Sequence, residues 1–169
     1  KKSSYLINPI GVYEIFGCET EENQLILCRG KGIFTSRSLV RAIGGSKKIG
    51  LFIATIGNSL EKNAENCSYP DNIILEAIGS AATEECAEYL HRQIIEPVIK
   101  ENEAQKTTRL SPGWGSHKNS RNWNIAEQKI IFDLLNLGAK RINIKLAENY
   151  LMVPRKSVSA IVGIKKSTS

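Results

Sequence analysis

Residues 71–103, DNIILEAIGSAATEECAEYLHRQIIEPVIKENE, form the longest stretch of the chain with helical periodicity. Asp71 follows Pro70 and is expected to cap this helix, whereas Pro97 is expected to kink or end it. The small residues at 79–82 would let another element approach closely. Apolar and small residues recur at helical intervals and are expected to form the packed face: Ile74, Ile78, Ala81, Ala82, Tyr89 and Ile94.

Strand-like runs lie upstream of this helix. QLILCRGKGIF (24–34) and KKIGLFIATIG (47–57) are apolar, β-rich and closed by glycine, and TSRSLVRAIGG (35–45) between them has helical spacing. Further upstream, NPIGVYEIFG (8–17) predicts a short helix, since Asn8 can cap it, Pro9 suits the first turn and Gly17 can end it. Its apolar stripe would be Ile10, Tyr13 and Phe16.

The C-terminal part contains a further helix and strand. Asn124 is expected to cap IAEQKIIFDLLNLG, and Gly138 is expected to end it. SVSAIVGI at 157–164 alternates as a strand does. Because long helices and strands are not in regular alternation, the fold class predicted is α+β, with a mostly antiparallel twisted sheet packed with helices.

Composition favours one ordinary domain over residues 1–169, soluble and cytoplasmic. The chain has 41% hydrophobic residues but no run of 18 apolar residues that could span a membrane. Its four cysteines are scattered and accompanied by only two histidines, so neither a zinc site nor a disulfide framework is expected. The only methionine is Met152, and we therefore expect the natural chain to begin upstream of Lys1.

The net charge of +6 is concentrated in one half of the chain. Residues 104–169 carry twelve Lys and Arg against three acids, whereas residues 1–103 carry eleven against fourteen. A basic half is compatible with nucleic acid, an anionic ligand or an acidic protein partner, and equally with a solvated lysine-rich surface. Nucleic-acid binding has no further support, since no recognition helix or aromatic-basic strand is recognisable.

Several catalytic constellations can be set aside. Glu84, Glu88 and His91 share one face of the long helix, but a di-metal site would need a second Glu-x-x-His pair, so a solvated face is the preferred interpretation and no metal site is assigned. The glycine-lysine clusters lack phosphate-loop spacing, and no nucleophile elbow is present. No catalytic residue is assigned.

The stretch RLSPGWGS at 109–116 combines residue types that suit a ligand. Pro112 favours an extended Ser111 and leaves nearby backbone groups free, and Gly113 permits close backbone approach. Arg109 offers a fork of donors to a carboxylate or phosphate, and Trp114 offers a π-face to a ring or cation. The alternative is a tight surface turn with a solvated arginine.

The motifs that follow RLSPGWG are the strongest sequence signal. Trp123, AEQKIIFDLL and INIKLAENYLMVPRKSVSAIVGI appear in order, and the chain resembles the S-adenosylmethionine-binding activation domain of cobalamin-dependent methionine synthase. The resemblance is strongest over 109–164 and weaker through EAIGSAATEECAEYLH and ATIG. It implies a C-shaped α+β domain that binds S-adenosylmethionine, whose methyl group restores a reduced corrinoid on a neighbouring domain.

The resemblance also implies residue roles. Arg109 would bind the carboxylate of the ligand, Ser111 and Gly113 would contact its nucleoside through the backbone, and Glu84 matches an acidic helix residue that contacts it. Trp114 stands where the family usually has tyrosine. These cofactor-binding roles agree with the chemistry of a zwitterion that carries a sulfonium.

Three departures from the family pattern predict weaker binding or a different ligand. The ring at 114 lacks a hydroxyl, SHKNSRN (116–122) lengthens the loop, and neither end of the chain matches the segments that complete the site in longer members. No Asp-x-His-x-x-Gly cobalamin signature is present. The corrinoid would therefore come from a partner, either a methionine synthase lacking its own activation domain or another corrinoid-binding protein.

Two functional hypotheses remain. In the first, the chain is a free-standing activation domain, a component of methionine synthase rather than an autonomous enzyme. In the second, it is a non-catalytic docking module for a corrinoid protein or a flavodoxin-like reductase, with a vestigial ligand pocket, and the basic C-terminal half is the docking surface.

Overall fold

The structure is a computed structural model that describes residues 4–22, 24–27, 32–100, 106–113 and 123–165. Short 3-10 turns occur at Ser4–Leu6 and Ile125–Glu127. The strands, in chain order, are β1 Ile10–Glu21, β2 Gln24–Leu27, β3 Ile33–Phe34, β4 Lys48–Thr55, β5 Lys106–Leu110, β6 Lys145–Leu146, β7 Met152–Val153 and β8 Ser157–Lys165. The helices are α1 Arg37–Ile43, α2 Ser59–Glu65, α3 Tyr69–Lys100, α4 Gln128–Leu134 and α5 Asn136–Arg141.

Six strands form one sheet in the order β3-β2-β1-β4-β8-β5, and every neighbouring pair in it is antiparallel. β6 and β7 form a separate two-stranded sheet. The side chains of β4 after Lys48 are buried on both faces, because β4 lies between β1 and β8 and the sheet is covered on both sides. β5 is an edge strand, and its position is important for the candidate site.

Helices cover both faces of the sheet, and each face has its own apolar core. On one face, α1, α4 and α5 contribute Leu39, Ile131 and Ala139 to a cluster with β4 and the β1–β3 strands. On the other face, the second half of α3 packs against β4 and β8. The α+β class and the mostly antiparallel sheet packed with helices are thus confirmed, and no helix in the described ranges has the length and apolarity that a membrane crossing requires.

The predicted N-terminal helix is wrong, since residues 8–17 lead into and form strand β1. Eight consecutive residues of β1, from Ile10, pair with β4. Of the supposed stripe, Ile10 and Tyr13 are each 44% exposed and only Phe16 is buried. A side chain at Gly11 would lie 2.6 Å from Leu90 of α3, so this strand passes close beneath the helix. Pairing with a buried strand outweighs the local capping signals.

The long helix α3 is confirmed, but its ends and packed face differ from prediction. It begins at Tyr69, which leaves Asp71 within the first turn, and it continues past Pro97 to Lys100. Ile74 and Tyr89 are more than half exposed. The sheet is contacted by a different set: Ala87, Leu90, Ile94 and Val98. Only the second half of α3 covers the sheet, because Gly79 in the first half packs against Leu60 of α2 and Lys156.

The remaining predictions agree better with the structure. The helix expected within residues 35–45 is α1, and Ser36 caps it by accepting a bond from the N–H of Leu39. Asn124, the predicted cap, accepts a bond from the N–H of Ala126 at the segment that leads into α4. The run 24–34 gives two strands, β2 and β3, and its residues 28–31 lie outside the described part of the chain. Gly138 does not end a helix. It lies within α5, where an added Cβ would be 2.8 Å from Val12, so close packing explains it.

Candidate ligand-binding site

The edge strand β5 presents alternate side chains to opposite faces of the sheet. Arg109 is paired with Val162 of β8, and Leu110 is paired with Ile161. Leu110 is buried in the core beneath α1 and α4, whereas Thr107 and Arg109 face α3. Strand alternation and the long helix together place the arginine of the RLSPGWG stretch beside the acidic face of α3.

Arg109 and Glu84, two residues predicted to bind the ligand, contact each other directly. Nη2 of Arg109 donates to Oε1 of Glu84 in a short ion pair, and Oε2 of Glu88 lies 4.0 Å from the same nitrogen. The side chain of Arg109 is 19% exposed and that of Glu84 is 67% exposed. Among the described residues, Nη1 of Arg109 is buried and has no hydrogen-bond partner. The guanidinium therefore has a donor that no described residue satisfies.

His91 lies on the same face of α3, one turn beyond Glu88. Its Nε2 is 3.2 Å from Oγ1 of Thr107, and its Nδ1 is 3.8 Å from Oε2 of Glu88. Burial lowers the pKa of His91, Arg109 lowers it further, and Glu88 opposes the shift. The interpretation of this face as solvated is wrong for His91, whose side chain is 15% exposed, because β5 covers it. In the described ranges no three His, Cys, Asp or Glu side chains are grouped so as to hold a metal.

A turn follows β5 at Ser111–Gly113. Gly113 has φ of +89°, a conformation that favours glycine, and no atom of the described residues lies within 4 Å of the position that a Cβ would take. Its N–H donates to the carbonyl of Trp123 at 2.8 Å. The amide of Gly113 is therefore used within the chain, and its carbonyl remains as the backbone group that could meet a ligand. Trp114 and the SHKNSRN stretch lie outside the described residues.

Trp123 is a residue whose role the sequence did not reveal. It is fully buried, and its ring meets that of Phe34 edge-on, with centroids 6.0 Å apart and an interplanar angle of 77°. Its Nε1 donates to Oε2 of Glu127 at 2.8 Å. The signal available in the sequence was a Trp placed four residues before a Glu at the start of a helix.

A concavity lies away from these residues, on another part of the surface. It has a volume of about 450 Å³ and is bounded by β1 and the α4–α5 junction, with Glu14, Asp133 and Arg141 among its lining residues. None of the four candidate site residues that the structure describes, Glu84, Arg109, Ser111 and Gly113, lines it. It is thus a cleft on the opposite side of the sheet from Arg109 and Glu84.

The match to a known family covers most of the chain. Residues 39–169 match the model of the vitamin B12 dependent methionine synthase activation domain. The chain belongs to this family. The family recognised from the RLSPGWG, LMVP and KSVSA motifs is thus confirmed.

The fold of this activation-domain chain is also that of a solved relative. The crystal structure of the MetH reactivation domain bound to AdoHcy (S-adenosylhomocysteine) superposes with a TM-score of 0.70 at 20% sequence identity, over 99% of this chain. The chain spans 62% of the length of that structure. At this identity the likeness establishes the fold alone. No curated protein is significantly similar in sequence.

Proposed function

We propose that the chain binds S-adenosylmethionine and supports reductive methylation of a corrinoid cofactor held by a partner protein, in the cytoplasm. The partner would be a methionine synthase without its own activation domain or another corrinoid-binding protein. Family membership supports the proposal. The observation that carries the ligand assignment is the guanidinium of Arg109, which is held against the acidic face of α3 and whose buried Nη1 has no partner among the described residues.

The charges of the described residues fit the amino-acid end of this ligand. A guanidinium binds a carboxylate through paired donors, and Nη1 of Arg109 is available as one of them. Glu84, 67% exposed, can accept from the ligand ammonium. The carbonyl groups of the turn at Ser111 and Gly113 would contact the nucleoside. Trp114 would supply an aromatic face to the sulfonium or the purine.

Ligand binding would exchange one ion pair for two. Arg109 and Glu84 neutralise each other without ligand. A zwitterion can separate them and pair with both at once, so that the charges of Arg109, Glu84 and the amino-acid end of the ligand are all compensated. A ligand that carries only the nucleoside has no group to replace either partner. The site should therefore favour ligands that contain the amino-acid moiety.

The protein would act by positioning rather than by acid–base catalysis. When bound to the partner, the corrinoid would supply the nucleophilic metal chemistry of the transfer. Arg109 and Glu84 would hold the amino-acid end of the donor, and the turn after β5 would hold its nucleoside, which together orient the methyl group outward. The solved relative is described as bound to AdoHcy, the product of methyl loss from S-adenosylmethionine, and this supports the choice of ligand class.

Calorimetric titration tests the assignment. The wild type should bind S-adenosylmethionine and AdoHcy, and Arg109→Ala should weaken both about 10-fold or more, the range expected when a hydrogen-bonded charge is lost. Arg141→Ala, in the cleft near β1, is the matched control and should bind normally. No binding by the wild type at millimolar ligand would reject the ligand assignment, and an indifferent Arg109→Ala would reject the carboxylate role.

The closed Arg109–Glu84 pair also favours a second candidate function. If the pair is permanent, the chain is a docking module whose pocket is vestigial, and its basic C-terminal half binds an acidic corrinoid protein or a flavodoxin-like reductase. Retention of such a purified partner that falls with added salt, together with no ligand heat in the titration, would support this function over the first.

A further inference from the structure

The backbone of Trp123 is hydrogen-bonded to the turn that follows β5. Its carbonyl accepts the N–H of Gly113 at 2.8 Å, so the two ends of residues 113–123 are joined by one backbone bond. Because Trp123 is fully buried against Phe34, this bond ties the turn to the hydrophobic core. The position of Gly113 therefore depends on how Trp123 is held.

Glu127 is the polar residue that holds Trp123. Its Oε2 accepts Nε1–H of Trp123 at 2.8 Å. Its Oε1 accepts two bonds from Thr35, one from the backbone N–H at 3.0 Å and one from Oγ1 at 2.6 Å. Thr35 and Glu127 are 92 residues apart in the chain, so the carboxylate joins the segment before α1 to the segment before α4. Both oxygens of Glu127 are occupied, and the orientation of the indole is thereby determined.

The chain of contacts runs without a gap from Thr35 to the candidate site. Thr35 and Trp123 meet at Glu127, Trp123 bonds to Gly113, and Gly113 ends the turn Ser111–Gly113, which begins two residues after Arg109. The carboxylate in this chain of contacts, that of Glu127, is only partly buried, so it does not need these bonds to offset a large cost of burial. Its bonds thus serve to orient Trp123 rather than to fill the core.

We propose that Glu127 is a positioning residue for the nucleoside part of the ligand, acting through Trp123 on the turn Ser111–Gly113. The inference rests on the proposed function, since it assumes that this turn contacts the nucleoside. It adds a role for Glu127, Thr35 and Trp123, none of which touches the ligand. Loss of the carboxylate frees the indole, loosens the bond to Gly113 and weakens contacts made by the turn, while the Arg109–Glu84 pair is left unchanged.

The Kd values of two ligands, measured together with the thermal midpoint, distinguish a positioning role from a general effect on stability. AdoHcy carries the amino acid and the nucleoside, whereas 5′-methylthioadenosine carries the nucleoside alone. Glu127→Ala should weaken both about tenfold, the effect expected when bonds to a charged acceptor are lost. Arg109→Ala should weaken AdoHcy and leave 5′-methylthioadenosine unchanged. A residue that only stabilises the fold would lower the thermal midpoint and shift neither Kd below that midpoint.

Matched variants complete the test. Asp133→Asn removes a carboxylate from the same helical region, where it pairs with Lys129 on the surface, and should change neither Kd. Thr35→Val removes one bond to Glu127 with little change of shape, and should weaken both ligands about threefold. Thr35→Ser keeps the hydroxyl and should restore wild-type binding. The Thr35 variants decide the question if Glu127→Ala does not fold.

The outcomes are distinguishable. Parallel weakening of both ligands by Glu127→Ala or Thr35→Val supports the inference. Wild-type Kd values in these variants would overturn it and leave the proposed function intact. Failure of the wild type to bind AdoHcy would overturn the proposed function and this inference with it.

Discussion

The guanidinium of Arg109 on β5 is paired with the carboxylate of Glu84 on α3, so two residues suited to opposite ends of a zwitterion hold each other. Their environments differ, since Arg109 is mostly covered and Glu84 is 67% exposed. An exposed partner limits what the pair contributes to the stability of the fold. The pair therefore contributes little to the free energy of unfolding, and its proposed role is an exchange of partners with the ligand.

Glu84→Gln should therefore affect binding more than stability. Its free energy of unfolding should fall by less than about 1 kcal/mol, because pairs with an exposed partner contribute little. Its Kd for AdoHcy should rise about tenfold, because the ligand ammonium loses a charged acceptor. Urea denaturation and calorimetry measure the two effects. Glu85→Gln, the exposed neighbour on α3, is the control, and equal Kd values for the two variants would contradict the role of Glu84.

Stability should fall between pH 7.5 and pH 5.5 because of His91. Burial holds the pKa of His91 below its ordinary 6.5, so as the pH falls the unfolded chain takes up a proton at this ring before the folded protein does. The unfolded state then binds more protons, and the free energy of unfolding decreases with falling pH. Lys156 and Arg155 lower the pKa of Glu76 from 4.5, so its effect lies at more acid pH.

Urea denaturation of wild type and His91→Gln at the two pH values checks this prediction. Glutamine can still bond Thr107 but does not titrate. The variant should lose less stability than the wild type over the interval. An equal loss in both proteins would mean that His91 is not the source.

Gly138→Ala should destabilise the protein although alanine favours helices. An added Cβ would lie 2.8 Å from Val12 of β1, and the resulting overpacking should cost about 1–3 kcal/mol, more than the propensity gain of about 1 kcal/mol. Val12→Ala removes the obstructing methyl groups. The double variant should therefore be more stable than the sum of the single effects predicts, and additive thermal or urea data would show that the two residues do not clash.

Glu61→Gln should destabilise the junction between α2 and the segment before β8. Glu61, whose side chain is 14% exposed, accepts the backbone N–H of Arg155 at 3.1 Å and its Nε–H at 2.6 Å. Loss of this charged acceptor should lower the free energy of unfolding by about 1–3 kcal/mol. The surface pair of Lys129 and Asp133 is the comparison, with side chains 62% and 63% exposed.

Asp133→Asn should change stability by less than about 0.5 kcal/mol, because exposed pairs within a helix contribute little. Urea denaturation of the two variants under one condition provides the measurement. A similar loss in both would show that burial of Glu61 does not strengthen its ion pair with Arg155.

Local signals predicted the elements whose structure is decided locally. Asn124 caps a helical segment as expected, since a cap needs only a side chain and an amide two residues away. The apolar runs at β4 and β8 form strands. The helix predicted from Asn8 and Pro9 fails, because pairing with β4 is a contact over about forty residues that no local pattern contains.

The candidate site shows the same division. The residue types around Arg109 indicated an anion-binding group, and the acidic face of α3 could be read from its spacing. The contact between Arg109 and this face of α3 could not be predicted, because it depends on which strand lies at the sheet edge and which half of α3 covers the sheet. The use of the Gly113 amide by Trp123 is likewise set by the burial of an indole against Phe34.

The amino-acid sequence by itself determined the family, the α+β class and the chemical character of Arg109, Glu84 and the turn after β5, because motif order and residue type are local properties. Only the tertiary structure decided that Arg109 and Glu84 are paired, that β1 is a strand and that Glu127 holds Trp123. Each of these depends on packing between segments distant in the chain, and the free energy of such contacts becomes available only when the sheet and its helices assemble.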